Sequence, residues 1–313
     1  TFQIPEDVLG GDKFIIATDP AGDTAQQPFS VRCFMSMDGQ SCAKPNGDHR
    51  IIILVHGIDC ILFVAPATTS PLDCLLTDTA SVLQRANDTF FPGSAPLHKK
   101  LGEIGVSDAN MVPFSYADIY TSGSLTYFYN AVPGQGSEGK FDIHSGVDQA
   151  SDDLVHYIKQ IEADNQQYDD LKIDILSHSL GGVVTANAMQ KYGKDDGKVQ
   201  YATASDSPLR GIPASGLGKV FETICAGLCG KVYGDITPGS AAVSAAMKEK
   251  DDPKFFVVTN LTDVFIPALD DYVGDDQKPN ERTWGDFLDI LQGTFGHGAV
   301  FYSSGACDVI LGI

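Results

Sequence analysis

The sequence predicts an α/β protein with a doubly wound, mostly parallel central sheet flanked by helices. Short continuous apolar runs, which are typical of buried parallel strands, alternate with segments of helical periodicity. The chain has 313 residues, of which 43% are hydrophobic and 20% charged, and this composition excludes a disordered chain. The length suffices for one large α/β domain, and we expect residues 1–313 to form a single domain.

The predicted elements follow one another along the chain. Residues 1–50 contain two strand-like runs between turn residues, and we expect edge strands there. These runs are 14–17 and 29–37. Buried strands are predicted at 51–55, 112–116, 173–176, 199–202 and 255–258. Helices are predicted over 147–163 and 180–192, because apolar residues recur there with helical spacing.

Two segments interrupt this alternation. Residues 118–145 are rich in Gly, Ser and Tyr, and we expect an irregular loop over a pocket. Residues 208–250 contain a candidate lid or cap, since five apolar residues there share one helical face. They are Leu217, Val220, Phe221, Ile224 and Leu228. An ordinary core helix explains the same spacing.

The charge balance limits the partners of the protein. Its formal net charge is −20 and its pI is near 4.5, so its surface repels nucleic-acid phosphates. A nucleic-acid partner is therefore excluded. The apolar run at 51–55 is far shorter than the roughly 18 residues of a membrane helix, and no transmembrane segment is expected. We expect a monomer, with transient contact at a lipid interface at most.

Seven cysteines bear on the cellular compartment. Six of them form three close pairs in the sequence and Cys307 is left over, a pattern typical of local disulfides in a secreted protein. The pairs are Cys33 with Cys42, Cys60 with Cys74, and Cys225 with Cys229. We expect secretion on this ground. The alternative is a cytosolic protein with buried free thiols, and the last pair, four residues apart on a predicted helix, suits that alternative as well.

The strongest chemical motif lies at 172–182, where the apolar strand KIDIL is followed by the small residues SHS and then by the helix start LGG. Ser179 lies at the centre of a sharp strand-to-helix turn, and small residues at 177 and 181 let the two backbones approach each other. The motif resembles the nucleophile elbow G-x-S-x-G of the α/β-hydrolase superfamily, with Ser177 in place of the first glycine. The alternative is an ordinary helix start capped by Ser177 or Ser179.

The resemblance implies an acid and then a histidine further along the chain. Asp263 follows the strand 255–258, and the run D-V-F-I-P that it begins resembles the segment after the catalytic acid of many lipases and esterases. His297 lies in a Gly-flanked loop and is the one histidine of seven that follows this acid. The rival acids are Asp270, Asp271, Asp275 and Asp276, a cluster that also reads as a solvated turn or a weak calcium site.

The same resemblance implies two donors for an oxyanion. The amide of Leu180 follows the nucleophile at a helix start. The strand 51–55 ends in His56-Gly57, which resembles the His-Gly oxyanion motif of lipases, and the amide of Ile58 would be the second donor. We expect His56 to tie down this loop, and His178 to shape the site rather than act as the base.

The resemblance extends from about residue 51 to residue 300, with weaker matches at 199–213 and 235–240. It implies a serine esterase or lipase that hydrolyses a small-molecule or lipid carboxylic ester through an acyl-enzyme, with Ser179, Asp263 and His297 as its triad and with no cofactor or metal. Leu217, Phe221 and Tyr127 are the candidate substrate-binding residues. The alternatives are an acyltransferase or deacylase of lipid-linked substrates on the same triad, and a non-catalytic binding protein with this fold.

Overall fold

The protein is described by a computed structural model. It describes residues 11–18, 20–57, 79–91, 96–116, 119–122, 125–128, 146–193, 197–212, 231–249, 252, 254–260, 281–284, 301, 307 and 310–311. The strands within these ranges are β1 (Gly11–Thr18), β2 (Thr24–Cys33), β3 (Arg50–Val55), β4 (Met111–Phe114), β5 (Ile119–Ser122), β6 (Leu125–Phe128), β7 (Lys172–His178), β8 (Val199–Ser205), β9 (Phe255–Asn260) and β10 (Glu281–Trp284). The helices are α1 (Thr79–Phe90), α2 (Pro96–Glu103), α3 (Val147–Asp164), α4 (Leu180–Tyr192), α5 (Val232–Asp235) and α6 (Ala241–Glu249).

Six strands form the central sheet in the order β10-β9-β8-β7-β3-β4, and every neighbouring pair is parallel. In its centre, β3 and β7 pair so that Val55 lies opposite Ser177. Because all six strands run the same way, their carboxyl ends meet at one edge of the sheet, where open α/β sheets bind ligands. The predicted parallel sheet is confirmed, and each of the five predicted strands forms within two residues of its expected start.

Alternate residues of the central strands point to opposite sides of the sheet, and side chains of helices pack against both sides. Ile51, Ile53 and Val55 of β3 pack into one core with α3 and α4. Ile52 and Leu54 pack on the other side with side chains of α1 and α2. This second core also contains three residues near the end of the chain. They are Phe301, Cys307 and Ile310, each fully buried.

The strands β1, β2, β6 and β5 form a second sheet in that order. The N-terminal strands therefore belong to this sheet, with β1 at its edge and β2 inside it, paired parallel to β6 at Arg32–Cys33. The antiparallel pair β5 and β6 occupies 119–122 and 125–128, where the sequence predicted irregular structure. That prediction is wrong for these residues, because the Ile, Thr, Tyr and Phe side chains in them favour strands over a loop.

The helices α3 and α4 form where they were predicted. Asn187 of α4 donates from Nδ2 to the carbonyl of Ala242 at 3.0 Å, so α6 packs on α4 in the helical layer. Residues 241–249 therefore belong to the layer that flanks the sheet. The helix predicted for the lid, with Leu217 and Phe221, lies outside the described residues.

None of the helices in the described ranges is long and apolar enough to cross a lipid bilayer.

A disulfide joins Cys33, the last residue of β2, to Cys42. It confirms the first of the three predicted cysteine pairs. Cys307, the cysteine left over in the sequence, is fully buried, and its Sγ donates a hydrogen bond to the Phe301 carbonyl. The other two pairs, 60 with 74 and 225 with 229, lie outside the described residues and stay predictions.

Candidate active site

Ser179 lies in a strained turn at the carboxyl edge of the central sheet. It follows the last residue of β7 and precedes the first of α4, and its backbone has φ 54° and ψ −128°. A positive φ is costly for a residue with a Cβ, on the order of 1–3 kcal/mol, and such strain concentrates at functional sites. The turn is fixed by the Ser179 amide, which donates to the Ser205 carbonyl of β8 at 2.9 Å. The predicted strand-to-helix elbow is therefore present, and it supports the prediction of an α/β-hydrolase fold.

Glycines let neighbouring backbones approach this turn. A Cβ on Gly181 would lie 2.3 Å from the Val55 carbonyl oxygen, so α4 starts directly against the end of β3. A Cβ on Gly57 would lie 2.5 Å from the Cβ of Ser179 and 3.0 Å from its Oγ. The distances of 2.3 Å at Gly181 and 2.5 Å at Gly57 are shorter than the contacts that real Cβ atoms make. The His-Gly segment after β3 and the serine after β7 are thus brought together, as the sequence predicted.

Ser177, which replaces the first glycine of the elbow motif, has a structural role. Its Oγ donates to the Thr203 carbonyl of β8, and its side chain is buried. The hydroxyl satisfies a backbone acceptor inside the sheet, so the substitution of Ser for Gly is accommodated without an unpaired polar group. The departure from the motif therefore does not disturb the turn.

The loop that reaches the serine is held from two sides. His56 is 1% exposed, and its Nδ1 hydrogen-bonds to the Gly57 carbonyl at 2.9 Å. The Tyr116 hydroxyl donates to the His56 carbonyl at 2.8 Å, and the two rings meet edge to face. These contacts anchor the loop, which is the role that the sequence predicts for His56. Sequence reasoning missed Tyr116, although its place two residues after β4 puts it at the same edge of the sheet.

Of the predicted oxyanion donors, the structure describes Leu180. It is the first residue of α4, so its amide is one of the four at a helix start that have no partner within the helix. The positive end of the helix dipole lies at the same place. This position suits a donor to an oxyanion on a group attached to Ser179. Ile58, the second predicted donor, lies outside the described residues.

The structure describes one of the five other predicted site residues, Tyr127. Asp263, His297, Leu217 and Phe221 lie outside the described residues, so their roles stay predictions. Tyr127 lies on β6, opposite Tyr120 of β5 and beside Cys33 of β2.

His178 contacts a part of the chain that the sequence did not connect with it. Its side chain is buried, and its ring meets Phe301 edge to face at 5.6 Å between centroids. Phe301 meets Phe90 of α1 in a second edge contact at 5.2 Å. The neighbour of the proposed nucleophile therefore packs on Phe301, which lies four positions after His297 in the sequence. A single sequence holds no signal for this contact, because 123 positions separate the two residues.

Asp206 is a further residue that sequence reasoning missed. It is fully buried, follows β8, and has φ 47°, one of three positive φ values among the described non-glycine residues. Its amide donates to the Val258 carbonyl of β9 at 3.0 Å. Because His178 pairs with Ser205, the next residues, Ser179 and Asp206, lie side by side. Two strained residues thus share the carboxyl edge of neighbouring strands.

No group of three or more potential metal ligands occurs among the residues that the structure describes.

The chain was compared with known families, sequences and structures. No protein-family model and no curated protein matches it. A search of solved structures finds phospholipase PlaB from Legionella pneumophila at 16% identity and a TM-score of 0.40, over 74% of this chain and 42% of the phospholipase. This chain therefore spans less than half the length of that protein.

Two further solved structures are similar over more of their length. A lipase from Bacillus licheniformis in mature form has 12% identity and a TM-score of 0.41, over 82% of this chain and 89% of the lipase. An esterase from Pyrococcus furiosus has 14% identity and a TM-score of 0.39, over 91% of this chain and 90% of the esterase. Similarities of this size carry no information about the site or the substrate of this chain.

Proposed function

We propose that this protein is a serine hydrolase that cleaves carboxylic esters through an acyl-enzyme on Ser179. One observation carries the proposal: Ser179 is held in a strained turn between β7 and α4, with Gly57 packed directly against its side chain. Strain of this kind needs a reason beyond packing, and a nucleophile elbow supplies one, because it exposes a serine Oγ beside two backbone amides.

The chemistry assigns one step to each group. Ser179 Oγ attacks the ester carbonyl while His297 takes its proton, and His297 then returns that proton to the departing alcohol. Asp263 accepts a hydrogen bond from the other ring nitrogen of His297 and stabilises its positive charge. The amides of Leu180 and Ile58 stabilise the oxyanion, and a single donor of this kind is worth about 3–4 kcal/mol in other enzymes. Water then hydrolyses the acyl-enzyme by the same route.

Covalent geometry supports these assignments. Asp263 follows the last residue of β9, Asn260, by three positions, which limits their Cα separation to about 11 Å. The carboxyl end of β9 lies at the same sheet edge as Ser179, one strand beyond β8. The Cα of Asp263 therefore lies at most about 11 Å from the Cα of Asn260, at the sheet edge that carries Ser179.

Labelling with a fluorophosphonate probe tests the proposal, with p-nitrophenyl esters of C2 to C16 acids assayed in parallel. We expect the probe on the peptide that contains Ser179, and Ser179→Ala should lose both labelling and turnover while it keeps the wild-type melting temperature. A folded Ser179→Ala protein with wild-type turnover would overturn the proposal. The chain-length optimum separates a lipase from an esterase, and competition between water and added alcohols reveals an acyltransferase. A folded, unlabelled wild type without turnover, in detergent as well, would identify a binding protein.

We extend the proposal to the compartment: the enzyme works in an oxidising environment, as a secreted protein does. The Cys33–Cys42 disulfide supports this, because such bonds do not persist in a reducing cytosol. Alkylation with and without prior reduction, followed by peptide mass spectrometry of protein from its native source, tests it. Complete alkylation of Cys33 before reduction would contradict the extension.

A further inference from the structure

We infer that Tyr116 is a positioning residue, whose hydroxyl holds the His56–Gly57 backbone in place against the nucleophile. The inference rests on the proposed function. It assigns to a side chain at a neighbouring strand end part of the precision with which Ser179 is set up for attack. The contact through which Tyr116 acts is the hydrogen bond from its hydroxyl to the His56 carbonyl, which is 2.8 Å long.

The strand register places the tyrosine, the loop and the serine side by side. The last residue of β3 pairs with the last residue of β4 on one side and with Ser177 of β7 on the other. Two positions further along the three chain segments are Gly57, Tyr116 and Ser179, respectively. Neighbouring strands are about 4.8 Å apart, so the segment 56–57 leaves the sheet between the tyrosine and the serine.

The close approach to Ser179 requires a glycine, and a glycine weakens the local hold on the backbone. A Cβ on Gly57 would lie 2.5 Å from the Cβ of Ser179, so a larger residue does not fit. Because glycine has the widest choice of φ and ψ, contacts to the peptide groups on either side of it must fix its orientation. His56 Nδ1 hydrogen-bonds to the carbonyl of Gly57, and the Tyr116 hydroxyl donates to the carbonyl before it.

The His56 carbonyl lies where the loss of a donor has consequences for the loop. His56 is 1% exposed and Tyr116 is 2% exposed. A Cβ on Gly181 would lie 2.7 Å from the His56 carbonyl oxygen, so this oxygen is held between the tyrosine and the start of α4. Removal of the hydroxyl takes this hydrogen bond from a buried carbonyl, which favours rotation of the peptide towards another donor. Such a rotation moves Gly57 relative to Ser179.

The chain offers a closely matched control for a substitution of Tyr116. Tyr116→Phe removes the hydroxyl and keeps the ring, which meets the rings of His56 and Phe114 edge to face. Tyr157 of α3 is also fully buried, meets Phe114 edge to face, and donates from its hydroxyl to the Pro113 carbonyl at 3.2 Å. Tyr157→Phe therefore removes a hydroxyl of the same kind from the same core. The difference is that its acceptor belongs to β4 and not to the loop at the nucleophile.

The measurement is kcat per active site on a soluble p-nitrophenyl ester, with sites counted by fluorophosphonate titration so that unfolded protein does not contribute. We expect Tyr116→Phe to lower kcat about 10-fold with KM within about twofold of wild type, because the displaced loop changes the geometry of attack rather than substrate binding. Tyr157→Phe should keep kcat per site within about twofold of wild type. Both variants should lower the melting temperature, since each loses a buried hydrogen bond.

A double variant tests whether the hydroxyl acts through the loop. Gly57→Ala already displaces the loop by steric contact with Ser179. If Tyr116 acts through the same loop, Tyr116→Phe should lower kcat by less than about threefold in the Gly57→Ala background, because the two effects are then not additive. An equal factor in both backgrounds would show that the hydroxyl acts elsewhere and would overturn the positioning role.

The outcomes separate the inference from the proposed function. If folded Ser179→Ala keeps wild-type turnover, or if the folded wild type has neither labelling nor turnover, the proposed function fails and the inference fails with it. If Ser179→Ala is inactive but Tyr116→Phe matches Tyr157→Phe in kcat per site, the positioning role alone is overturned. A complete loss of activity in folded Tyr116→Phe would also overturn it, since the hydroxyl would then take part in the reaction itself.

Discussion

Gly57 is the residue whose replacement tests the site most directly, because it packs against the side chain of Ser179, the proposed nucleophile. A Cβ there would lie 3.0 Å from the Oγ of Ser179, inside the space that an attacking hydroxyl needs. We expect Gly57→Ala to lower kcat/KM for a p-nitrophenyl ester by at least about 100-fold. Gly47→Ala is the matched control, because nothing lies within 4 Å of its added Cβ. Equal activity of the two variants would show that the loop can move away without effect.

Asp174 is a second residue with a measurable consequence, at the opposite end of β7. It pairs with Arg50, yet burial dominates and raises the pKa of the Asp174 carboxyl above its usual value. Its Oδ1 has no hydrogen-bond partner among the described residues. A raised native pKa favours the folded state while the carboxyl is protonated, and this contribution is lost as the pH rises through the native pKa.

Asp174→Asn should therefore gain stability relative to wild type as the pH increases. At pH 4 the two proteins should be close in free energy of unfolding, and at pH 7 the variant should be equal or more stable, since a buried charge has been removed. Urea titrations of both proteins at pH 4, 5, 6 and 7 measure the difference. A variant that loses stability relative to wild type as the pH rises would show that the attraction to Arg50 exceeds the cost of burial.

At the scale of single elements, α4 is constrained by close packing rather than by helix propensity. A Cβ on Gly182 would lie 2.0 Å from the Oγ of Ser207 and 2.8 Å from the Cβ of Ala204. Gly182→Ala should therefore destabilise the protein by about 1–3 kcal/mol, although alanine favours helices. Gly102→Ala, in α2 with open space around it, should stabilise by about 0.5–1 kcal/mol. Urea denaturation measures the change in free energy of unfolding for both variants. If both variants gained stability, or both lost it, the packing argument would be refuted.

Elements with strong local signals were predictable from the sequence. Continuous apolar runs gave β3 and β7, and periodicity gave α3 and α4 with nearly their observed ends. The hairpin β5–β6 was missed because its strands have four residues each, too few for a period to stand out. Pairing of β2 with β6 joins residues more than 90 positions apart, and a local pattern contains no trace of it.

The residues of the candidate site were likewise predictable only where a short motif contains them. Ser179 and Gly57 were predictable because chemistry restricts their residue types within short motifs. Asp206 and Phe301 were not, since their importance comes from burial and from neighbours supplied by other strands. A buried contact between distant positions becomes visible only when the sheet order is known.

For the whole molecule, the net charge of −20 dominates the response to salt. Like charges repel one another in the compact state, and this repulsion is screened over about 10 Å at 0.1 M salt. We expect the melting temperature to rise by a few degrees between 10 and 150 mM NaCl at pH 7. Differential scanning fluorimetry measures it, with an uncharged osmolyte at equal osmolality as the control. A melting temperature that falls with NaCl would show that ion pairs such as Lys191 with Asp148 outweigh the net repulsion.

The order of the central strands also sets how early the protein can complete its fold during synthesis. The strands β3 and β7 pair across more than 115 intervening residues, and Phe301 and Ile310 complete the core between them and α1. A ribosome must therefore release the chain as far as residue 310 before the second core can close. A nascent chain that ends before residue 301 would already contain Ser179, yet the rings of His178 and Phe90 would lack the side chain that lies between them.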